Sequence, residues 1–146
     1  MNMWQFAATF FYLGKLPFAP GTWGSLGAMI LWSFLPLSFS LQLMILILLF
    51  CIGIFSSKKT AEALKTKDPP EVVIDEALGM SIALFMLPHS IAIYSMAFIL
   101  FRIFDILKPS FIYRVQYLPD GWGIMLDDIL AGILTLLICQ GLLSIT

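Results

Sequence analysis

Charged side chains are scarce in this 146-residue chain. Aspartate, glutamate, lysine and arginine make up 12% of it, whereas about 25% is usual for soluble domains. Hydrophobic residues make up 60%, and the mean hydropathy is +0.97. A water-soluble domain would lack the polar surface needed to cover so much apolar side chain, but a lipid-facing exterior needs no such cover. The composition predicts an integral membrane protein, and the formal net charge of −1 gives no basis for a nucleic-acid partner.

Cysteine and histidine are too few for most sites built from them. Cys51 and Cys139 both lie within apolar runs, so neither a disulfide framework nor a cysteine metal site is expected. The single histidine, His89, lies in an uncharged loop that is expected on the outer side of the membrane, opposite the acidic residues. Covalent chemistry through a histidine or cysteine nucleophile is therefore excluded, which leaves a carboxylate nucleophile or a metal-activated water.

Long uncharged runs separate the few charged segments. A membrane-spanning helix needs about 20 apolar residues, and prolines and serines divide the runs into helices. We expect one all-α domain over 1–146, an integral membrane protein with about five transmembrane helices plus short interfacial helices. The expected spans are 22–35, 41–56, 72–87, 91–107 and 125–144. Segments 3–14 and 111–118 are expected at the interface, and 57–67 is expected as a short polar helix outside the bilayer.

The charged segments fall on one side of this arrangement. Five alternating spans place 1–21, 57–72 and 108–122 on the same membrane face, and the lysines and arginines lie in or next to these segments. The positive-inside bias makes that face cytoplasmic. The sequence therefore predicts a multi-pass protein whose C-terminus lies outside.

Five acidic residues lie at the cytoplasmic ends of three expected spans: Asp75, Glu76, Asp105, Asp127 and Asp128. A charge at the bilayer centre costs about 2.5–3.5 kcal/mol on insertion scales, so such residues usually face partners or water. Five acids at one depth repel one another unless a cation lies among them, and carboxylate oxygens suit Mg²⁺. Solvated helix ends or ion pairs are the alternative interpretation of each acid.

Two further groups lie at the same face. Arg102, Asp105 and Lys108 follow one another at three-residue spacing, which suits either a structural ion pair with Lys108 reaching the headgroups or a cationic wall for phosphate. Segment 20–25 (PGTWGS) opens the first span and suits either a backbone cradle for an anion or ordinary capping and close helix packing. The candidate phosphate-binding residues are Lys15, Gly21, Thr22, Gly24, Ser25, Arg102 and Lys108.

Four motifs, taken together, resemble the bacterial phosphatidylglycerophosphatase A family. They occur in the family's order at 19–26 (APGTWGSL), 73–80 (VIDEALGM), 101–109 (FRIFDILKP) and 121–132 (GWGIMLDDILAG). The resemblance implies a Mg²⁺-dependent enzyme of the bacterial inner (cytoplasmic) membrane. It would hydrolyse phosphatidylglycerophosphate, a lipid phosphomonoester, to phosphatidylglycerol and inorganic phosphate on the cytoplasmic leaflet.

The same resemblance assigns roles by motif. Asp75, Glu76, Asp127 and Asp128 correspond to metal ligands or acid–base groups, and Asp105 joins them as a catalytic candidate. Arg102 and Lys108 share the third motif with Asp105, while the glycine motif supplies the residues from Gly21 to Ser25. One departure is the linker before the last motif, which is about one residue short and holds no acid before Asp120. The role of Asp120 is left open.

Two other functions are compatible with acids in membrane helices. A CDP-alcohol phosphatidyltransferase would carry a D-G-x-x-A-R pattern, but Asp120-Gly121 is followed by Trp122-Gly123 with no such pattern. A cation-coupled transporter would need ionisable groups deeper in the bilayer, where the expected spans hold almost none. Neither fits as well as the phosphatase.

Overall fold

The chain folds as a bundle of helices with no strand among the residues described. The computed structural model describes residues 2–115, 117–118 and 120–145. Within them lie seven α-helices and one 3₁₀ turn, Leu13–Lys15. The helices are α1 (Met3–Ala8), α2 (Pro20–Ser33), α3 (Phe39–Leu64), α4 (Ile74–Ala83), α5 (Ile91–Leu107), α6 (Ser110–Val115) and α7 (Asp120–Ser144). The all-α prediction is confirmed, and α5 has the bounds expected from the sequence.

In the described part of the chain, two helices are long and apolar enough to cross a membrane. They are α3 and the Trp122–Ser144 part of α7, whose most apolar 18-residue windows have mean hydropathies of 2.5 and 1.9. Helices α2 and α4 have 14 and 10 residues, which is too short for a hydrocarbon core of about 30 Å at 1.5 Å per residue. Helix α5 has 17 residues, which is at the lower limit for a span. Membrane association is supported, but the expected five spans are not confirmed.

Helix α3 continues through the segment expected to form a separate polar helix at 57–67. Its 26 residues run unbroken from the Ser38 cap, whose hydroxyl accepts the Leu41 N–H, to Lys65 in a left-handed conformation. Lys59, Glu62 and Lys65 are exposed, but Ser56, Ser57 and Thr60 on the same helix are buried, and the Ser57 hydroxyl contacts the Met125 sulfur at 3.8 Å. The expected boundary at 57 is therefore wrong, because these side chains face neighbouring helices.

Helix α4 lies at the centre of the bundle. Eight of its ten residues are buried, and it packs against α2, α3, α5 and α7. A Cβ atom built on Gly132 of α7 would lie 2.3 Å from the Gly79 carbonyl oxygen, and one on Gly79 would lie 2.6 Å from the Asp128 carbonyl oxygen. Close approach of small residues is the usual basis of helix packing within membranes. These glycines bring α4 and α7 together beside Asp128.

The expected third span, 72–87, stops being helical at Ala83 because distant side chains satisfy its backbone. The Trp32 indole N–H donates to the Leu84 carbonyl at 3.2 Å, and the buried Gln42 amide oxygen accepts the Met86 N–H at 2.8 Å. Without water, a backbone group in a membrane protein needs a partner of this kind. The turn after Ala83 is thus held by α2 and α3, and α4 remains short.

Candidate active site

The five acidic residues predicted from the sequence converge in the structure. Asp75 and Glu76 lie in the first turn of α4, Asp105 in the last turn of α5, and Asp127 and Asp128 near the start of α7. Carboxylate oxygens of Asp75, Asp127 and Asp128 lie within 4.8 Å of one another, and so do those of Glu76, Asp105 and Asp128. Asp128 belongs to both groups and is the centre of what we call the acid cluster.

The acid cluster is largely shielded from solvent. Asp75, Asp105 and Asp127 are 5–7% exposed, and Asp128 is 1% exposed. One buried oxygen each of Asp75, Glu76 and Asp128 has no hydrogen-bond partner. Burying an unpaired carboxylate costs several kcal/mol (roughly, after relaxation), so these oxygens require a compensating group. Hard oxygen ligands without partners fit a divalent cation such as Mg²⁺.

Two basic residues neutralise part of the acid cluster. Arg102 Nη1 donates to Asp105 Oδ2 at 2.5 Å, while Lys108 Nζ contacts Asp105 at 3.3 Å and Asp127 Oδ2 at 2.7 Å. Burial acts to lower the pKa of Lys108, but the nearby charges of Asp128, Asp127 and Asp105 outweigh burial and raise it. Lys108 is therefore charged, and it joins α5 to α7 across the site.

Arg102 also presents an unused donor. Its Nε is buried and has no hydrogen-bond partner, although Nη1 already binds Asp105. A guanidinium group offers several N–H donors in a fixed plane that matches phosphate oxygens. The ion pair expected from the Arg102–Asp105–Lys108 spacing is present, although Lys108 binds Asp127 and not a headgroup. The role of Arg102 in binding phosphate stays a prediction, which the unused donor supports.

The start of α2 reaches the acid cluster through Gly21. A Cβ atom at this position would lie 2.8 Å from Glu76 Oε1 and 3.0 Å from Arg102 Nη1. The helix begins with Pro20 at its first position, and its N-cap residue makes no side-chain hydrogen bond. A helix N-terminus favours anions because its first N–H groups lack partners within the helix. The backbone of Gly21 therefore lies where an anion beside Arg102 could meet it.

The remaining residues of the glycine motif serve packing more than the site. The Ser25 hydroxyl donates to the Gly21 carbonyl at 2.8 Å and is buried. A Cβ atom on Gly24 would lie 2.8 Å from the Cβ of Val73, so Gly24 lets α2 approach the start of α4. Thr22 is half-buried, and its side chain does not cap the helix. Close packing thus accounts for Gly24 and Ser25.

Lys15 is engaged elsewhere. Its ammonium group pairs with Glu71 at 2.8 Å, and its side chain is 46% exposed. No contact described in the structure joins it to the acid cluster. Its predicted role in phosphate binding gains no support from this arrangement, and the side chain of Asp120 lies outside the described residues.

Asp68 is a further acid near the site, and it is not among the candidate residues predicted from the sequence. Desolvation raises the pKa of its carboxyl group, and the charge of Lys108 works against that shift. Asp105 and Asp75 also interact electrostatically with Asp68. Its position before Pro69-Pro70 suggested a turn and nothing more, so local sequence held no signal for its proximity to Lys108.

Comparisons with known proteins identify a family for this chain. The sequence model of the family described as phosphatidylglycerophosphatase A matches residues 6–143. Phosphatidylglycerophosphatase A of Escherichia coli K12 is 37% identical over 139 residues, covering 92% of this chain and 80% of that protein. The Haemophilus influenzae protein of the same name is 38% identical over 142 residues, covering 94% and 87%. A Bacteroides thetaiotaomicron protein named "Putative phosphatidylinositol-3-phosphatase" is 38% identical over 135 residues, covering 86% and 84%.

No solved structure matches the chain. Neither the phosphatidyltransferase nor the transporter alternative is favoured by these relatives, whose names all describe phosphatases. The resemblance carried by the four sequence motifs is confirmed: the chain belongs to the phosphatidylglycerophosphatase A family and is a phosphatase.

Proposed function

We propose that this enzyme hydrolyses phosphatidylglycerophosphate to phosphatidylglycerol and inorganic phosphate with the help of Mg²⁺. The observation that carries the proposal is the convergence of five acids from α4, α5 and α7 around buried oxygens that lack partners. Two relatives bear the name of this activity. Phosphoryl transfer depends mainly on positioning and charge neutralisation, and the acid cluster with its two basic residues is suited to both.

The metal would be held by Asp75, Glu76, Asp127 and Asp128. The partnerless oxygens of Asp75, Glu76 and Asp128 support this assignment, since oxygen ligands of this kind suit Mg²⁺. Asp128 belongs to both groups of three acids, so it is the central residue of the proposed metal site. A bound divalent cation supplies polarisation of the phosphoryl group and activation of water.

The residues of the chain would act on the phosphate and on protons. Arg102 and the backbone at Gly21 bind the phosphate oxygens and orient the phosphorus atom toward the acid cluster. A carboxylate of the cluster accepts a proton from the attacking water as the water oxygen bonds to phosphorus. The ester bond then breaks, the same carboxyl group returns this proton to the leaving glycerol oxygen, and phosphatidylglycerol and inorganic phosphate are released. Lys108 keeps Asp105 and Asp127 in place during these steps.

The acid cluster is proposed to face the cytoplasm. It lies at the ends of helices next to the charged segments, and the positive-inside bias assigns such a face to the cytoplasmic side. The chain would cross the inner membrane more than once, with α3 and α7 as its two full spans. The substrate's glycerol-phosphate arm would enter from the inner leaflet while its acyl chains stay in lipid.

A phosphoinositide is the competing substrate, because one relative is named for that activity. Both substrates are lipid phosphomonoesters, and the acid cluster acts on the phosphate that they share. The headgroup alcohol therefore decides between them, and direct comparison of the two lipids is required.

The test is release of inorganic phosphate from detergent-dispersed lipid. Phosphatidylglycerophosphate, phosphatidylinositol 3-phosphate and water-soluble glycerol phosphate are each supplied with Mg²⁺ or with EDTA. We expect rapid release from phosphatidylglycerophosphate with Mg²⁺, little from the other two, and almost none in EDTA. Faster release from the phosphoinositide would reassign the substrate, and activity that is indifferent to EDTA would remove the metal from the proposal.

Conservative variants test whether a loss of activity is specific to the acid cluster. Asp75→Asn and Asp127→Asn should each lower release by about 100-fold or more, since even supporting groups around a metal are worth roughly 10–100-fold. Glu62→Gln is the matched control, because Glu62 is an exposed acid on α3 outside the acid cluster. Equal loss in all three variants would show that the effect is not specific to the cluster.

A further inference from the structure

The acid cluster is least enclosed on its basic side. Asp128 at its centre is 1% exposed, but the side chains of Arg102 and Lys108 are 16% and 24% exposed. Gly21 lies beside Arg102, because a Cβ atom on Gly21 would lie 3.0 Å from Arg102 Nη1. The cluster is therefore reached between the start of α2 and the end of α5, which we call the lateral opening.

The loop at one edge of the lateral opening is apolar and exposed. It consists of residues 16–19 (LPFA), all four of which are exposed, and we call it the Phe18 loop. Phe18 is 91% exposed, and its φ angle of 64° is an outlier for a bulky side chain. Exposed apolar runs of this length are unfavourable in water unless they serve a function, and backbone strain is concentrated at functional sites.

The hydrogen bonds of the Phe18 loop suit the membrane interface. The Trp23 indole N–H donates to the Pro17 carbonyl at 3.0 Å, and the Ala19 carbonyl accepts the Thr22 N–H at 3.1 Å. Pro17 itself has no N–H group to satisfy. Irregular backbone is not exposed to lipid inside the hydrocarbon region, whereas tryptophan is enriched at the level of the headgroups. The loop therefore fits the boundary between headgroups and acyl chains.

The other edge of the lateral opening is an exposed apolar face at the end of α5. Ile103, Ile106 and Leu107 are exposed, and their three- and four-residue spacing places them on one face of the helix. Arg102 and Asp105, which form an ion pair in the acid cluster, directly precede Ile103 and Ile106. Two apolar edges thus flank a polar site, as a lipid that carries a phosphate on its headgroup requires.

We propose that the substrate lipid enters the acid cluster sideways from the leaflet, between the Phe18 loop and the end of α5. Its phosphomonoester meets Arg102 and the Gly21 backbone. Its acyl chains stay in the leaflet, against Phe18 on one edge and Leu107 on the other. This inference rests on the proposed function, because it takes a lipid phosphomonoester as the substrate.

Photo-cross-linking of the full-length protein in phosphatidylcholine vesicles with Mg²⁺ tests the lateral opening. The probe is a phosphonate analogue of phosphatidic acid, whose carbon–phosphorus bond resists hydrolysis, with a diazirine group on one acyl chain. Phosphatidylcholine with the same acyl chain is the comparison probe, and mass spectrometry of peptides locates the attached lipid. The phosphonate should label 16–19 and 103–107 roughly tenfold more than the comparison probe, a preference that one hydrogen bond between charged groups supplies.

Arg102→Gln should abolish this excess labelling and leave labelling by the phosphatidylcholine probe unchanged. Phe34 is the internal control, since it is an exposed phenylalanine at the opposite end of α2 and both probes should label it equally. Phe18→Asp places a negative charge at the edge in a backbone conformation that aspartate tolerates. It should lower phosphate release from lipid in vesicles, whereas the matched variant Phe34→Asp should not. Circular dichroism of each variant verifies that the helices are intact.

Equal labelling by the two probes at both edges would overturn the proposal, and so would excess labelling confined to α3. Equal phosphate release by Phe18→Asp and Phe34→Asp would remove Phe18 from the path of the substrate. Excess labelling at both edges of a protein that releases no phosphate from any lipid would support the lateral opening and refute the proposed function. Phosphate release without excess labelling would do the reverse.

Discussion

Replacing Asp128 by asparagine removes one negative charge from the centre of the acid cluster and keeps nearly the same shape. Its carboxylate lies within 4.8 Å of oxygens from four other acids. At that distance and an effective dielectric constant of ~20, two unit charges repel by about 3.5 kcal/mol. The substitution also removes the attraction between Asp128 and Lys108. Without a cation, Asp128→Asn should therefore be more stable than the wild type by at most about 3 kcal/mol, which is a rise in Tm of at most roughly 6–12 °C for a chain of this size.

Mg²⁺ should reverse this difference in stability between Asp128→Asn and the wild type. A ligand at 100 times its Kd stabilises the folded state by about 2.7 kcal/mol, and the wild type has the complete set of acids to bind it. Thermal unfolding is followed by intrinsic fluorescence in EDTA and in a Mg²⁺ series, with Glu62→Gln as the control. The wild type should gain several degrees from Mg²⁺, and Asp128→Asn should gain little and release almost no phosphate. If the variant is destabilised in EDTA, or responds to Mg²⁺ as the wild type does, the carboxylates do not act as a repelling, cation-binding group.

Two glycine substitutions test how the site is placed. Gly21→Ala puts a methyl group 2.8 Å from Glu76 Oε1. Because that oxygen ends a flexible side chain, the Tm should stay near the wild-type value while phosphate release falls. Unchanged release would show that Gly21 is not part of the site. Gly132→Ala forces a Cβ atom within 2.3 Å of the Gly79 backbone, so we expect a loss of about 1–3 kcal/mol in unfolding free energy. Gly141→Ala, with nothing within 4 Å, is its control, and equal Tm values for these two variants would contradict the close α4–α7 packing.

The acid cluster could be predicted because its signal is local in sequence and physically costly. Asp75, Asp105 and Asp127 interrupt otherwise apolar helices, and such residues persist only where a partner or water compensates them. Their distances from the ends of the uncharged runs gave one common depth, and the structure brings them together. The chemistry of the group then followed from residue type.

The number of spans was not predictable from the same runs. Segment 77–101 lacks charge throughout, so it gave no indication that α4 ends at Ala83. The partners that end it, Trp32 and Gln42, belong to α2 and α3 and are more than 40 residues away in sequence. A hydropathy pattern cannot show that backbone groups form hydrogen bonds with side chains so far away in the sequence. The proximity of Asp68 to Lys108 was missed for the same reason.

The short central helix has a consequence for how the enzyme meets different membranes. Helix α4 is about 15 Å long and is enclosed by its neighbours, so it has little direct contact with lipid. A thicker or thinner bilayer acts on the elements that match its hydrocarbon width, which tilt to compensate. Those elements are α3 and α7. The position of Asp75 and Glu76 on α4 therefore does not depend on the thickness of the surrounding membrane. Asp127 and Asp128 lie on α7, whose tilt changes with that thickness.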